Sequence, residues 1–141
     1  MSLKYSGINY EKLLELLEEF EFPYNDTLIE ILYKFDNTDI SEYTFYYKQG
    51  NDVKKDVVYQ VLTFNKYSKN NIIKAKSNIN CDIEGEFFPF VVTEDGNYVG
   101  LFVSDFGEET VQLYNVEKEE VTQICGVDNK TLTLEDFLNG M

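Results

Sequence analysis

Histidine, tryptophan and arginine are all missing from this chain of 141 residues, and every one of its twelve basic residues is a lysine. Without histidine there is no imidazole general base, no Ser-His or Cys-His couple and no histidine-bearing zinc site. Without arginine there is no bidentate guanidinium clamp for phosphate or carboxylate. The eight glycines are scattered, and neither GxGxxG nor GxxxxGKS/T occurs, so a phosphate-cradling loop is not expected. No run approaches the roughly 20 apolar residues that a membrane helix needs. Met1 to Tyr10 carries neither the basic start nor the apolar core of a signal peptide. The two cysteines, Cys81 and Cys125, lie far apart and are expected to be reduced thiols in a cytoplasmic protein.

What is present argues for a folded globule. The hydrophobic fraction is 43%, with eleven Phe and eleven Tyr, too apolar for a disordered chain despite its charge. The length fits one domain spanning 1–141, able to bury roughly two-thirds of its unfolded surface. The net charge of −14 is unevenly spread. Residues 82 to 141 hold fourteen acids against Lys118 and Lys130, a net of −12, whereas residues 1 to 81 come to only −2. Such a field repels nucleic acid and anionic membranes, and it either attracts a basic partner or simply keeps the chain soluble.

Helical spacing marks the start of the chain. Asn9 is placed to cap a helix carrying Leu13, Leu14, Leu17 and Phe20, and Phe22-Pro23 ends it. Asp26 or Thr27 is expected to cap a second helix, with Thr27 and Glu30 as a capping box and Leu28, Ile31, Leu32 and Phe35 as its stripe. Strands are expected at Tyr43 to Tyr47 and Val57 to Phe64, around a Gln49-Gly50-Asn51-Asp52 turn. Tyr67 to Ile79 reads as a short exposed helix or an irregular crossover. Phe88 to Thr93 and Tyr98 to Ser104 flank Glu94-Asp95-Gly96-Asn97, a strong hairpin signal. Val111 to Val116 and Val121 to Ile124 flank a second turn, and Thr133-x-x-Asp136 starts a closing helix. The expected fold class is α+β: N-terminal helices, a central, mostly antiparallel sheet of about six strands, and a short C-terminal helix.

Catalytic and metal readings find little footing. Asp105 with Glu108 and Glu109 invites a small carboxylate hydrolase, but an acid-base pair needs two carboxyls about 5 to 10 Å apart across a cleft. Glu94 to Asn97 lacks the alternating acids of a calcium loop. The expectation is no cofactor, no metal and no catalytic residue. What remains is an acidic surface of Glu84, Glu86, Asp105, Glu108, Glu109, Glu117, Glu119 and Glu120, on or beside strand ends and turns. Those carboxylates either protect sheet edges from pairing or dock a lysine- and arginine-rich protein. Tyr98, Phe106 and Tyr114 are candidate aromatic anchors for such a partner, although a place in the core is the more ordinary role for each.

The run from Glu86 to Ser104 (EFFPFVVTEDGNYVGLFVS) resembles the central hairpin of the SUKH superfamily, an apolar Pro-Phe strand, an acidic-Gly-Asn turn and a Tyr/aliphatic strand. Val111 to Asn115 resembles its next strand, and Leu134 to Leu138 its closing helix. Asp36-Asn37-Thr38-Asp39 stands where the family often has Asn-Gly-Gly. The resemblance implies a central sheet flanked by helices and no conserved catalytic set. It also implies an immunity protein that binds and blocks a cognate toxin domain; from the charge, that domain is expected to be basic, such as a nuclease. The alternative it implies is a regulatory adaptor in cell-wall or envelope synthesis.

Overall fold

In the computed structural model the described residues are 8–40, 42–79, 85–126, 128 and 130–141. Helix α1 (Tyr10–Glu19) is capped by Asn9, whose side chain accepts the Lys12 N–H at 3.1 Å. It buries Leu13 and Leu17 and leaves its glutamates outside. Helix α2 (Asp26–Phe35) is capped by Asn25 and not by Asp26 or Thr27: Asn25 Oδ1 accepts the Leu28 N–H at 3.0 Å. The asparagine wins because it stands one position earlier in extended backbone, where its short side chain reaches the free amides of the first turn. Thr27, already inside the helix, turns its hydroxyl to Glu135.

Six antiparallel strands follow: β1 (Thr44–Gln49), β2 (Asp52–Val61), β3 (Gly85–Thr93), β4 (Tyr98–Ser104), β5 (Glu109–Asn115) and β6 (Glu120–Cys125). They pair in chain order, and β1 also pairs with β6 through Tyr46 opposite Cys125 and Tyr47 opposite Ile124, so the sheet closes into a barrel. Phe45, Val58, Val61, Phe90, Val99, Leu101, Val111, Leu113 and Ile124 belong to the buried core. The second strand begins five residues before Val57, because Val53, Lys54 and Lys55 continue the ladder with β1 while exposed. Leu62 to Phe64 lie beyond its end.

The 62–84 connection carries α3 (Ile72–Ser77), so the ambiguous stretch does hold a helix. It is not wholly exposed, since Ile72 and Ala75 are buried. Helix α4 (Leu134–Gly140) starts in a capping box between Thr133 and Asp136, both bonds 3.1 Å. Its Phe137 is fully buried against Phe45, Phe90 and Tyr43. Together these four helices and six strands make an α+β domain. No described helix is long and apolar enough to cross a membrane.

Pairing in chain order sorts the turns between the two ends of the barrel. The β1–β2, β3–β4 and β5–β6 turns emerge at one end of the barrel, and the β4–β5 turn emerges at the other. The side chain of Asn25, at the start of α2, meets β5 at this second end.

Candidate partner-binding surface

The expected acidic residues divide between the two ends. Asp105, Glu108 and Glu109 belong to the β4–β5 turn and the start of β5, with Glu86 at the adjoining start of β3. Glu117, Glu119 and Glu120 belong to the β5–β6 turn. From Glu109 to Asn115 β5 advances about 20 Å, so the seven carboxylates do not form one face. Glu84 lies outside the described residues, as does Cys81; Cys125 is a free, half-buried thiol.

Local chemistry shapes the β4–β5 turn. Ser104 accepts the Gly107 N–H on its carbonyl at 2.9 Å, while its hydroxyl accepts the N–H groups of Phe106 at 3.3 Å and Glu108 at 3.1 Å. Gly107 sits at φ +84°, in the left-handed region that glycine enters without a Cβ penalty. Ser104 and Gly107 thereby fix the tip, and Phe106 projects from it 91% exposed. Asp105, Glu108 and Glu109 flank the ring and are exposed too.

The surface extends beyond this turn. Asn25, besides capping α2, donates from Nδ2 to Glu109 Oε1 at 2.8 Å. Next to it Tyr24 is 76% exposed, and Asp26 follows. Thr27 donates to Glu135 Oε1 at 3.0 Å, bringing α4 to the same place. Pro23, Gly85, Glu86, Phe88, Val103, Ser104 and Asp105 line a shallow cavity of about 260 Å³ beside the turn. Two exposed aromatic rings thus stand among Asp26, Asp105, Glu108, Glu109 and Glu135. Three ion pairs occur among the described residues, Lys12–Glu15, Lys34–Glu30 and Lys76–Glu86. Among the described residues only Glu86 of the expected set is offset in this way.

Of the expected anchors Phe106 is free to meet a partner. Tyr114 is 1% exposed beside Phe87, their rings 6.1 Å apart, and Tyr98 is half-buried with its hydroxyl accepting from Asn78. Tyr114 alternates with the core residues Val111 and Leu113, so it lies on the outer face of the sheet, where the Phe87 ring beside Gly100 covers it and keeps it from serving as an anchor. Tyr24, Asp26 and Glu135 escaped sequence reasoning, because only the docking of α2 and α4 beside β5 brings them to the β4–β5 turn.

At the opposite end, Asp56 of β2 is 2% exposed. Its Oδ1 accepts the N–H groups of Val57 at 2.8 Å and Asp95 at 3.4 Å, and its Oδ2 accepts from Asn97 Nδ2 at 3.2 Å. Asn97 Oδ1 in turn accepts the Val116 N–H at 3.1 Å, so one buried carboxylate ties the β3–β4 turn and, through Asn97, the β5–β6 turn to β2. The Asp56 carboxylate pushes the Asp95 carboxyl above its ordinary range, with smaller contributions from burial and the hydrogen bond between the two. Comparisons with protein-family models, with curated proteins and with solved structures give no match, so the functional reading rests on this geometry and on the sequence.

Proposed function

We propose that the chain is a non-enzymatic binding module that blocks a basic protein domain through the β4–β5 end of the barrel. In the fuller form of this reading it is a cytoplasmic immunity protein of SUKH type, and the blocked domain is a cognate toxin, a nuclease being the best fit to an acidic surface. The observation that carries the proposal is Phe106, 91% exposed at the tip of a turn whose neighbouring side chains are carboxylates. Exposing a phenyl ring to water is unfavourable, roughly 25 cal/mol per Å² of apolar surface. Buried in a partner, the same ring supplies the kind of central aromatic anchor on which interface energy concentrates. The surrounding Asp26, Asp105, Glu108, Glu109 and Glu135 would speed encounter with a positive surface and reject a negative one. A stable complex of this kind buries roughly 1,200 to 2,000 Å² in total.

The test is co-expression with the toxin encoded beside this gene, followed by affinity capture and a toxicity assay. Protection by the wild-type chain, weakened by Phe106→Ala and by a combined Glu108→Lys and Glu109→Lys change, is expected. Undiminished toxicity and no complex with the wild-type chain would refute the reading.

A further inference from the structure

The end of the barrel opposite Phe106 opens into a cavity of about 470 Å³, lined by Tyr47, Gln49, Asp95, Gly96, Asn97, Asn115, Val116 and Glu117. Its size falls within the range of small-ligand sites. Two nearly buried polar side chains in its wall have bonding capacity that the fold leaves unused. Tyr47 is 7% exposed, and its hydroxyl has no hydrogen-bond partner among the described residues. Asn115 is 8% exposed; its Oδ1 accepts the Lys118 N–H at 2.9 Å, but its Nδ2 has no partner among the described residues. A buried polar group left unbonded costs about 1 to 3 kcal/mol, so both groups call for a bonding partner in the cavity.

Charge says which kind. Asp95 and Glu117 line the cavity, the Asp56 carboxylate stands behind Asp95, and none of the three is in an ion pair among the described residues. Two lysines stand close by, Lys54 directly across β1–β2 from Tyr47 and Lys118 next to Glu117, and both are exposed. The described residues include no cluster of three or more acidic or thiol side chains placed to hold a metal ion. An organic cation with N–H donors fits better: it can give hydrogen bonds to the Tyr47 hydroxyl and to both carboxylates at once, and charge-assisted bonds are the strong ones.

We propose that this cavity binds an ammonium or guanidinium group on an alkyl arm. Asp95 and Glu117 act as its counter-ions, the Tyr47 hydroxyl accepts one of its N–H groups, and Asn115 Nδ2 donates to an oxygen near the arm. A lysine or arginine residue within a peptide carries both the cation and that oxygen, as a carbonyl; a free amine carries only the cation. The site lies a barrel length from Phe106 and does not rest on the partner-binding reading.

Titration by NMR or calorimetry at low salt, with Nα-acetyl-arginine N-methylamide and with butylguanidine, a free base that bears a single cation, tests the proposal. Saturable binding is expected, roughly tenfold or more weaker in Tyr47→Phe and Asp95→Asn and unchanged in Phe106→Ala. Lys54→Gln should tighten it by up to about fivefold by removing a competing charge. Tighter binding of the capped arginine identifies a peptide side chain as the source, and equal binding identifies a free amine. Absence of saturable binding by either compound overturns the site, as does equal affinity in the wild type and Asp95→Asn; circular dichroism of each variant separates such a result from misfolding.

Discussion

Replacing Asp56 with alanine tests whether one buried carboxylate holds the hairpin end of the barrel together. The side chain accepts from Val57 at 2.8 Å, Asn97 Nδ2 at 3.2 Å and Asp95 at 3.4 Å. Hydrogen bonds to a charged group contribute about 1.5 to 3 kcal/mol each. The Asp95 contact is long, and the exposed Asp95 amide would find water, so little is lost there. Asn97 is different: it is 7% exposed, and its amide would be left buried without an acceptor. Removing the charge also relieves the repulsion on Asp95, worth about 0.2 to 1 kcal/mol for an exposed partner. The balance is a loss of about 2 to 4 kcal/mol. For a domain of this size that lowers Tm on the order of 10 °C. Urea unfolding followed by circular dichroism measures it. A double-mutant cycle with Asn97→Ala should return a coupling of at least about 0.5 kcal/mol. A loss below about 1 kcal/mol, or strict additivity with Asn97→Ala, would mean that the carboxylate does not pin these turns.

Asp95→Asn should act in the opposite direction. Because Asp56 raises the Asp95 carboxyl, the stability linked to its proton is present at low pH and is lost as pH rises through the folded value. The variant should therefore gain up to about 1 kcal/mol at neutral pH and gain nothing near about pH 3, as thermal melts at the two pH values will show. Tyr43 stacks on Phe137 at 4.7 Å, and burial, aided by Asp136, pushes its phenol up to about 12. Absorbance titration should find one late-ionising tyrosine that Tyr43→Phe removes, with stability lost between about pH 10, the ordinary tyrosine value, and the raised one. A Cβ on Gly100 would meet the Phe87 ring at 2.8 Å, so Gly100→Ala should cost about 1 to 3 kcal/mol in denaturant unfolding. Phe106→Ala should leave the unfolding free energy within about 0.5 kcal/mol of wild type, while weakening capture of the proposed basic partner by roughly 30-fold or more.

Much of the fold was legible because its signals are local. The Asn9 cap, the Asp95-Gly96 turn and the Thr133–Asp136 box each act within a few residues, and each stands in the structure, whereas α1 ends at Glu19, ahead of Phe22-Pro23, where Glu21 turns at φ +56°. Errors arose where two local signals competed or where a pattern lost its contrast. Asn25, Asp26 and Thr27 are all competent caps, and only the geometry of the chain entering α2 decides among them. Val53, Lys54 and Lys55 carry no strand signal until β1 provides a partner, since a strand exposed on both faces has no hydrophobic alternation to show. The candidate surface was half legible: the acids and Phe106 of the β4–β5 turn are neighbours in sequence, whereas Tyr24 and Glu135 reach it through α2 and α4. The cavity around Tyr47 was not legible at all. It draws on residues 47–49, 95–97 and 115–117, which barrel closure alone brings together.

Closure also changes what the carboxylates can be for. Acids beside strand ends have a ready structural explanation in an open sheet, where charge discourages edge-to-edge pairing. In this barrel β1 pairs with β6 through Tyr46–Cys125 and Tyr47–Ile124, which shortens the edge left to defend. Edge protection therefore accounts less well for Glu108, Glu109, Glu117 and Glu119, which lie in or beside turns, than solubility or recognition does. Solubility alone asks for charge of both signs spread without pattern. The observed distribution is patterned: between Asp56 and Asp82 the sequence has four lysines and no acid, and one of these, Lys76, already offsets Glu86. Asp26, Asp105, Glu108, Glu109 and Glu135, around two bare aromatic rings, form no ion pair among the described residues. Diffuse solubilising charge has no reason to gather around exposed rings, whereas a surface that must draw in a positive partner and then hold it needs both.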